Sequence, residues 1–402
     1  MIRTVLVDTG PWLPVPPVGY GGIENVVAAL IPELRSRGVR VVLATVGTST
    51  IPVDEQISVF SEPQFARLGE PYNRVMGIAA AHLQRVVAEL RRRTDVDVVH
   101  DHLEALGPTV LAAAAPAVPP VLHTLHWDLH KHPELYGAFD GAGRVFVNGV
   151  SASQLARAPA ALRAHSVGHV HLATPLAQGA TRRPRPAKGD HVVVLARITP
   201  GKGQHIAARL AHQLGTRLVL AGPVGPYADP AQLACALATD PAALQHPDVR
   251  YWCDEVAHQV DGHQVRWIGT VHGTVRDELV ATARAMLCPV LWAEPGGTGI
   301  IESLALGTPV VGFRRGCLPE LLEEGTGLLA DPDDEDALAG HLQRVGTLDP
   351  AACQRVAQRR FTPAVMAEAY LRLYDHVLDR TAERSYRPVS PTVLAHPEGR
   401  AS

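Results

Sequence analysis

A large excess of charge of either sign is missing from this 402-residue chain, in which 37 Lys and Arg stand against 40 Asp and Glu and leave a net charge of −3. Such a balance gives no broad attraction for nucleic acid or an anionic membrane. Long apolar runs are missing too: none approaches the roughly 18 residues that a membrane-spanning helix needs. MIRTVLVD meets Asp8 before a signal-peptide core could form, so the expected location is cytoplasmic. Cysteine is sparse. Cys235, Cys253, Cys288, Cys317 and Cys353 contain no C-x-x-C pair and read as reduced core thiols. What remains, 46% hydrophobic and 19% charged residues, is ordinary for a globular protein, and its length exceeds what one core usually serves. Two domains are expected.

The pattern alternates. RTVLVD is a short buried-strand run, followed by GIENVVAALIPELRSRG, whose Ile23, Val26, Val27, Leu30, Ile31 and Leu34 make one helical face ended by Gly38. VRVVLATV, DVDVVH, PPVLHTL and RVFVNG continue the strands. A stretch rich in Pro, Gly and basic residues then interrupts the rhythm, and 179–190 reads as a linker between a domain over 1–178 and another over 191–361. The alternation restarts with HVVVLARI, TRLVLAG, a less regular insertion to about Asp261, QVRWIG, AMLCPV and TPVVGF. A helix over about 363–380 is expected to pack back on the first domain, with a disordered tail over 381–402. Strands alternating with helices argue for α/β architecture, two Rossmann-like doubly wound parallel sheets facing across a cleft.

Ligands bind beyond the carboxyl ends of such strands, so the residues there matter most. LARITPGKGQ places Arg197 and Lys202 in a glycine-rich turn, a pair of cations suited to a diphosphate. AGPVG lets a loop approach a ligand closely. In AEPGGTGIIESLALGTPVVGF, Glu294 precedes a turn through Gly296, Gly297, Thr298 and Gly299 that opens a helix carrying Glu302. A helix N-terminus favours negative charge, and a carboxylate can accept hydrogen bonds from two vicinal hydroxyls.

PPVGYGGIENVVAAL, ARITPGKG and EPGGTGIIESLALGTPVV together resemble the motifs of the family-four retaining glycosyltransferases of the GT-B fold, with E-x7-E at Glu294 and Glu302 and R-x4-K at Arg197 and Lys202. The resemblance implies a nucleotide-sugar donor on the C-terminal domain, UDP-hexose favoured, and an acceptor, a small natural product or a polysaccharide, on the N-terminal one. It assigns Glu302 to ribose, Arg197 and Lys202 to the leaving diphosphate, and Glu294 with Gly297 and Thr298 to the transferred sugar, with Gly299 also in the donor site. Gly21 and Gly22 reach toward the donor phosphates, and His126, in the T-x-H of HTLHW, stands near the reacting sugar. No metal or other cofactor is expected, because side chains and a helix end take the leaving charge. At Gly296 the family usually carries an aromatic residue, and Trp292 is expected to fill that space.

Other readings have their own residues. A nucleotide-sugar epimerase would keep the fold and dispense with the acceptor, and a non-catalytic binding module would hold the nucleotide without turnover. A metal-dependent hydrolase would use His100, His102, His123, His126, His130 and His132, although no H-e-x-x-H or C-x-x-C frames them. DVD at 95–97 resembles the D-x-D of metal-dependent transferases of another fold but begins a strand rather than ending one.

Overall fold

Near-continuous Val, Leu and Ile runs bury both faces of a strand, which a sheet allows only when helices cover it on each side. The computed structural model, which describes residues 2–19 and 21–385, builds two such sheets. β1 (Thr4–Asp8), β2 (Arg40–Ala44), β3 (Glu55–Ile57), β4 (Val98–Asp101), β5 (Val121–Leu125), β6 (Val145–Gly149) and β7 (Ser166–His169) form the first, in the order β3-β2-β1-β4-β5-β6-β7. β8 (His191–Leu195), β9 (Arg217–Ala221), β10 (Val265–Trp267), β11 (Ala285–Cys288), β12 (Val310–Phe313) and β13 (Gly327–Ala330) form the second, ordered β10-β9-β8-β11-β12-β13. All strand pairs are parallel. The winding reverses between β1 and β4 in the first sheet and between β8 and β11 in the second. Those two switch points are where such sheets open a crevice at their carboxyl edges.

The insertion after β9 is more regular than expected. Helices Pro230–Thr239, Pro241–Gln245 and Pro247–Tyr251 follow one another, each with proline in its first turn and a side chain of Asp229, Asp240 or His246 accepting a backbone N–H. The interdomain stretch is tied down at both ends. Thr181 donates to Gln358, and the Lys188 ammonium donates to the Ala281 carbonyl and to Thr308. Helix Pro363–Ser385 packs against helix Gly22–Ser36 of the first sheet, and Tyr370 and Tyr374 on it are fully buried. It runs past Thr381, where disorder was expected to begin, because Thr381 is still buried and its hydroxyl bonds the Val377 carbonyl. The rest of that expected tail, 386–402, lies outside the described residues.

A latch joins the halves. Glu320, in the short helix Leu318–Leu321, accepts from the backbone N–H of Ala152 at 2.8 Å and of Ser153 at 2.6 Å, and His171 lies 3.2 Å from the same carboxylate. A second contact forms at Gly296, where a Cβ would stand 2.7 Å from Leu172 Cδ1 and 3.3 Å from Val150 Cγ2. The space left by the missing aromatic side chain is therefore filled by the first domain and not by Trp292, which packs beside Gly201 instead. The thiols also divide: Cys317 and Cys353 are buried, but Cys235 is exposed and is no core residue.

Candidate active site

The second switch point carries a pocket. Residues 194–196 at the end of β8, residues 286–288 of β11, Lys202, Glu294 and the turn Gly297–Thr298–Gly299 line it. Glycine permits the tight assembly: at Gly203, φ +70°, a Cβ would overlap the Pro289 carbonyl, and at Gly316, φ +55°, it would overlap the Glu294 backbone. Cys317 N–H donates to the Glu294 carbonyl at 2.8 Å, fixing the loop from the other side. Gly222, expected to clear room for a ligand, instead clears room for the Ala196 carbonyl.

Lys202 and Glu294 form a close ion pair, and the ammonium also sits 5.2 Å from the centre of the Trp292 ring. Helix Thr298–Ala305 begins beside that pair. Gly297 is its left-handed N-cap, φ 59°, and has no side chain to occupy the first amides, so the Thr298 and Gly299 N–H groups are left for another acceptor. One turn along, Glu302 lies 3.3 Å from Arg276 Nη1, while Arg276 Nη2 donates to Asp277 at 2.7 Å. Burial raises the Glu302 carboxyl above its ordinary range and Arg276 draws it back. The Cys288 thiol in the wall is pushed up to about 12 by burial, which removes it as a nucleophile. Arg197 is exposed, with no ion-pair partner among the described residues.

Arg276 escaped sequence reasoning because no motif links it to Glu302; the two meet only in the fold, where a side chain of helix Gly273–Thr282 reaches one of helix Thr298–Ala305.

The first switch point is built differently. Asp8 ends β1 and Asp101 ends β4, and each is paired with a buried histidine: His82 Nε2 at 2.7 Å from Asp8, His123 Nδ1 at 2.5 Å from Asp101. His100 lies 2.8 Å from both the Tyr374 hydroxyl and Thr124 Oγ1, and Thr124 donates to Asn148. His126 lies beyond β5 with Nε2 2.8 Å from His102 Nδ1. The histidines grouped in sequence are thus spread over separate partners. His130 and His132 stand apart, beside Asp128 and Glu104. Gly22 opens helix Gly22–Ser36, and a Cβ on Gly21 would strike Pro17. The pocket brings together Lys202, Glu294, Gly297, Thr298 and Gly299. His126, Gly21 and Gly22 belong to the opposite domain, where the hydrogen bond of His126 runs to His102.

Among the described residues, His169, His171 and Glu320 form one group with metal-ligand spacing, at the latch. Its carboxylate is already engaged by two backbone N–H groups and an imidazole. DVD serves the amino edge of the first sheet: Asp97 accepts from the N–H groups of Arg3 and Thr4, and Asp95 pairs with Arg40 and Arg93.

Two family models match the chain in succession, Glycosyltransferase Family 4 over residues 20–162 and Glycosyl transferases group 1 over 181–359. The chain belongs to the family-four glycosyltransferases of the GT-B type. The O-antigen chain mannosyltransferase B of Escherichia coli is 37% identical over 99 residues, 23% of this chain and 25% of that protein. An uncharacterized glycosyltransferase of Methanocaldococcus jannaschii is 31% identical over 100 residues, again 25% of its length. The chain thus matches about a quarter of each of these curated relatives. Among solved structures, AviGT4, a glycosyltransferase involved in avilamycin A biosynthesis, shares 25% identity and a TM-score of 0.61 over 94% of this chain and 98% of that one. That likeness spans both domains. No helix among the described residues is long and apolar enough to cross a membrane.

Proposed function

We propose that the protein is a retaining glycosyltransferase that moves a sugar from a nucleoside diphosphate to a hydroxyl acceptor. The observation that carries this reading is the C-terminal switch-point pocket, where the Lys202–Glu294 pair stands beside two N–H groups of a helix start that have no acceptor among the described residues. Lysine and amides suit the diphosphate, whose negative charge grows as the glycosidic bond breaks. Arg197, exposed and without an ion-pair partner among the described residues, can fold onto the same phosphates. Glu302 takes the ribose hydroxyls once Arg276 yields part of its contact. Glu294 is held by its backbone at the depth where the sugar would sit.

The reaction we favour is a front-face displacement. The acceptor oxygen bonds to the anomeric carbon as the carbon–oxygen bond to the diphosphate breaks, and the departing phosphate oxygen takes the acceptor's proton. Side chains and amides take the leaving charge, so no metal is needed.

UDP-hexose is the donor to try first. GDP-mannose is the comparison, because the Escherichia coli relative is named as a mannosyltransferase. The AviGT4 likeness favours a small natural-product acceptor, with a polysaccharide end as the other class. Thermal shift with UDP, GDP and ADP tests the donor site, since a ligand that binds only the folded state raises the melting temperature. UDP should stabilise the wild type, and Lys202→Ala should reduce the shift. EDTA should leave transfer intact. The reading falls if no nucleoside diphosphate stabilises the protein.

A further inference from the structure

His102, which follows β4, is buried, and its Nδ1 lies 2.8 Å from Nε2 of His126. One of the two nitrogens must donate. His102 Nε2 is sealed from solvent and has no hydrogen-bond partner, whereas His126 is only half-buried and its Nδ1 makes no bond among the described residues. If His126 Nε2 were the donor, His102 would carry its own proton on Nε2, an orphaned N–H in the interior. If His102 Nδ1 donates, what stays buried is a bare lone pair. Buried N–H groups without partners are the rarer and costlier defect.

We propose that His102 is a positioning residue that fixes His126 as the Nδ1–H tautomer, so that a neutral imidazole offers the cleft a hydrogen-bond donor and no acceptor. The group it takes is a hydroxyl oxygen of a sugar, accepting from Nδ1–H. His126 is thereby unable to remove the acceptor's proton, which leaves that proton to the departing phosphate oxygen. This deepens the transferase reading and rests on it for the identity of the ligand, although the tautomer itself does not.

The surroundings keep both rings neutral. His100 lies against His102 with ring centres 4.1 Å apart and planes tilted by 40°, and its own nitrogens are taken by Tyr374 and Thr124. From the neighbouring strands and helices, Asp101 is bound by His123, and Asp8 is bound by His82. Burial and adjacent imidazoles lower His102 well below the usual range and His126 to about 3.

Asparagine and aspartate at position 102 separate the roles, because they match in size and differ in what they offer His126 Nε2. His102→Asn can donate through its amide and preserve the tautomer. His102→Asp can only accept, which draws the His126 proton to Nε2 at alkaline pH and raises the His126 pKa, leaving both nitrogens protonated at lower pH. Long-range ¹H–¹⁵N correlation on histidine-labelled protein reads the tautomer directly. The wild type and His102→Asn should show His126 protonated at Nδ1, with turnover flat from about pH 6 to about 9. His102→Asp should show Nε2–H at the alkaline end and lose turnover there by about tenfold, one hydrogen bond's contribution.

An Nε2–H signal for His126 in the wild type overturns the proposal, as does an identical tautomer and pH profile in the two variants. Should His102→Asp fail to fold, the wild-type and His102→Asn spectra still decide. Spectra as expected without any sugar transfer would remove the transferase reading and keep the tautomer.

Discussion

Both sheets reverse their winding beside a central strand, yet the two switch points solve opposite problems. At the C-terminal one, charged groups keep some contact with solvent: the Lys202 and Glu294 side chains are 21% and 15% accessible, and Arg276 and Glu302 are 27% and 18%. At the N-terminal one, His82, His100, His102, His123, Asp8 and Asp101 are all buried, and hydrogen bonds do most of what solvent does at the other. An ion pair with some solvent contact can be exchanged for a ligand at smaller loss, whereas a fully buried network resists rearrangement. One sheet therefore offers charge to a substrate, and the other holds a shaped wall of groups bonded to one another.

The sharpest way to break that contrast is Lys202→Ala. Its charge should matter most in the transition state, so turnover should fall by about 10²–10³-fold, the usual loss for a group that stabilises developing negative charge. Steady-state kinetics with a saturating donor would measure it, and a drop of less than about threefold would leave the pocket without that role.

Acid should break the other side. His100, His102 and His126 are kept neutral in the fold, while the unfolded chain binds protons near pH 6.5. Stability present above that pH is then lost as pH falls toward the folded values, by about 1 kcal/mol per pH unit for each imidazole. Thermal melts at about pH 5 and about pH 7.5 should differ by several degrees at least. Hydrogen exchange should place the loss in β4 and β5 before β8 and β11. Equal protection of the two sheets would mean that the network carries no special acid sensitivity.

These two regions were not equally legible in the sequence. Apolar strands such as residues 191–195 and 145–149 announced themselves by Val, Leu and Phe. β3, β7 and β13 did not, because EQI, SVGH and GLLA are short, polar or glycine-containing and owe their strand form to their neighbours. The helices after β9 were obscured by Pro230, Pro241 and Pro247, although Asp before Pro was a usable start signal at the first two. Lys202 and Glu294 were visible as motif positions 92 residues apart in the chain, which the fold joins in an ion pair. The pairing of His102 with His126 was not visible, since it depends on β4 and β5 lying side by side.

Gly296→Phe tests the seam between the regions. The ring would meet Leu172 and Val150, which already occupy the space, so overpacking should cost about 1–3 kcal/mol of stability. A variant as stable as the parent, with altered donor preference, would show that the seam opens enough to admit the ring.

The smallest effect is expected from Asp95→Asn, at the amino edge of the first sheet, away from both switch points. Arg93 holds the Asp95 carboxyl down at about 2, chiefly by hydrogen bonding, which taken alone would signal a strong stabilising pair. The Asp95 side chain is nevertheless 44% exposed, and Arg93 has Glu55 as a second partner. Water and salt screen a pair in that position, and one network member is partly replaced by another. The loss should be about 0–1 kcal/mol, measured by urea unfolding at low and high salt, and largest at low salt. Turnover should be unchanged, with or without EDTA, because the carboxylate supports an Arg cluster at the closed end of the sheet. If Asp95→Asn instead abolished transfer, the acidic pair at 95–97 would have a part in the chemistry, and the assignment of reactivity to the carboxyl ends of the strands would be wrong.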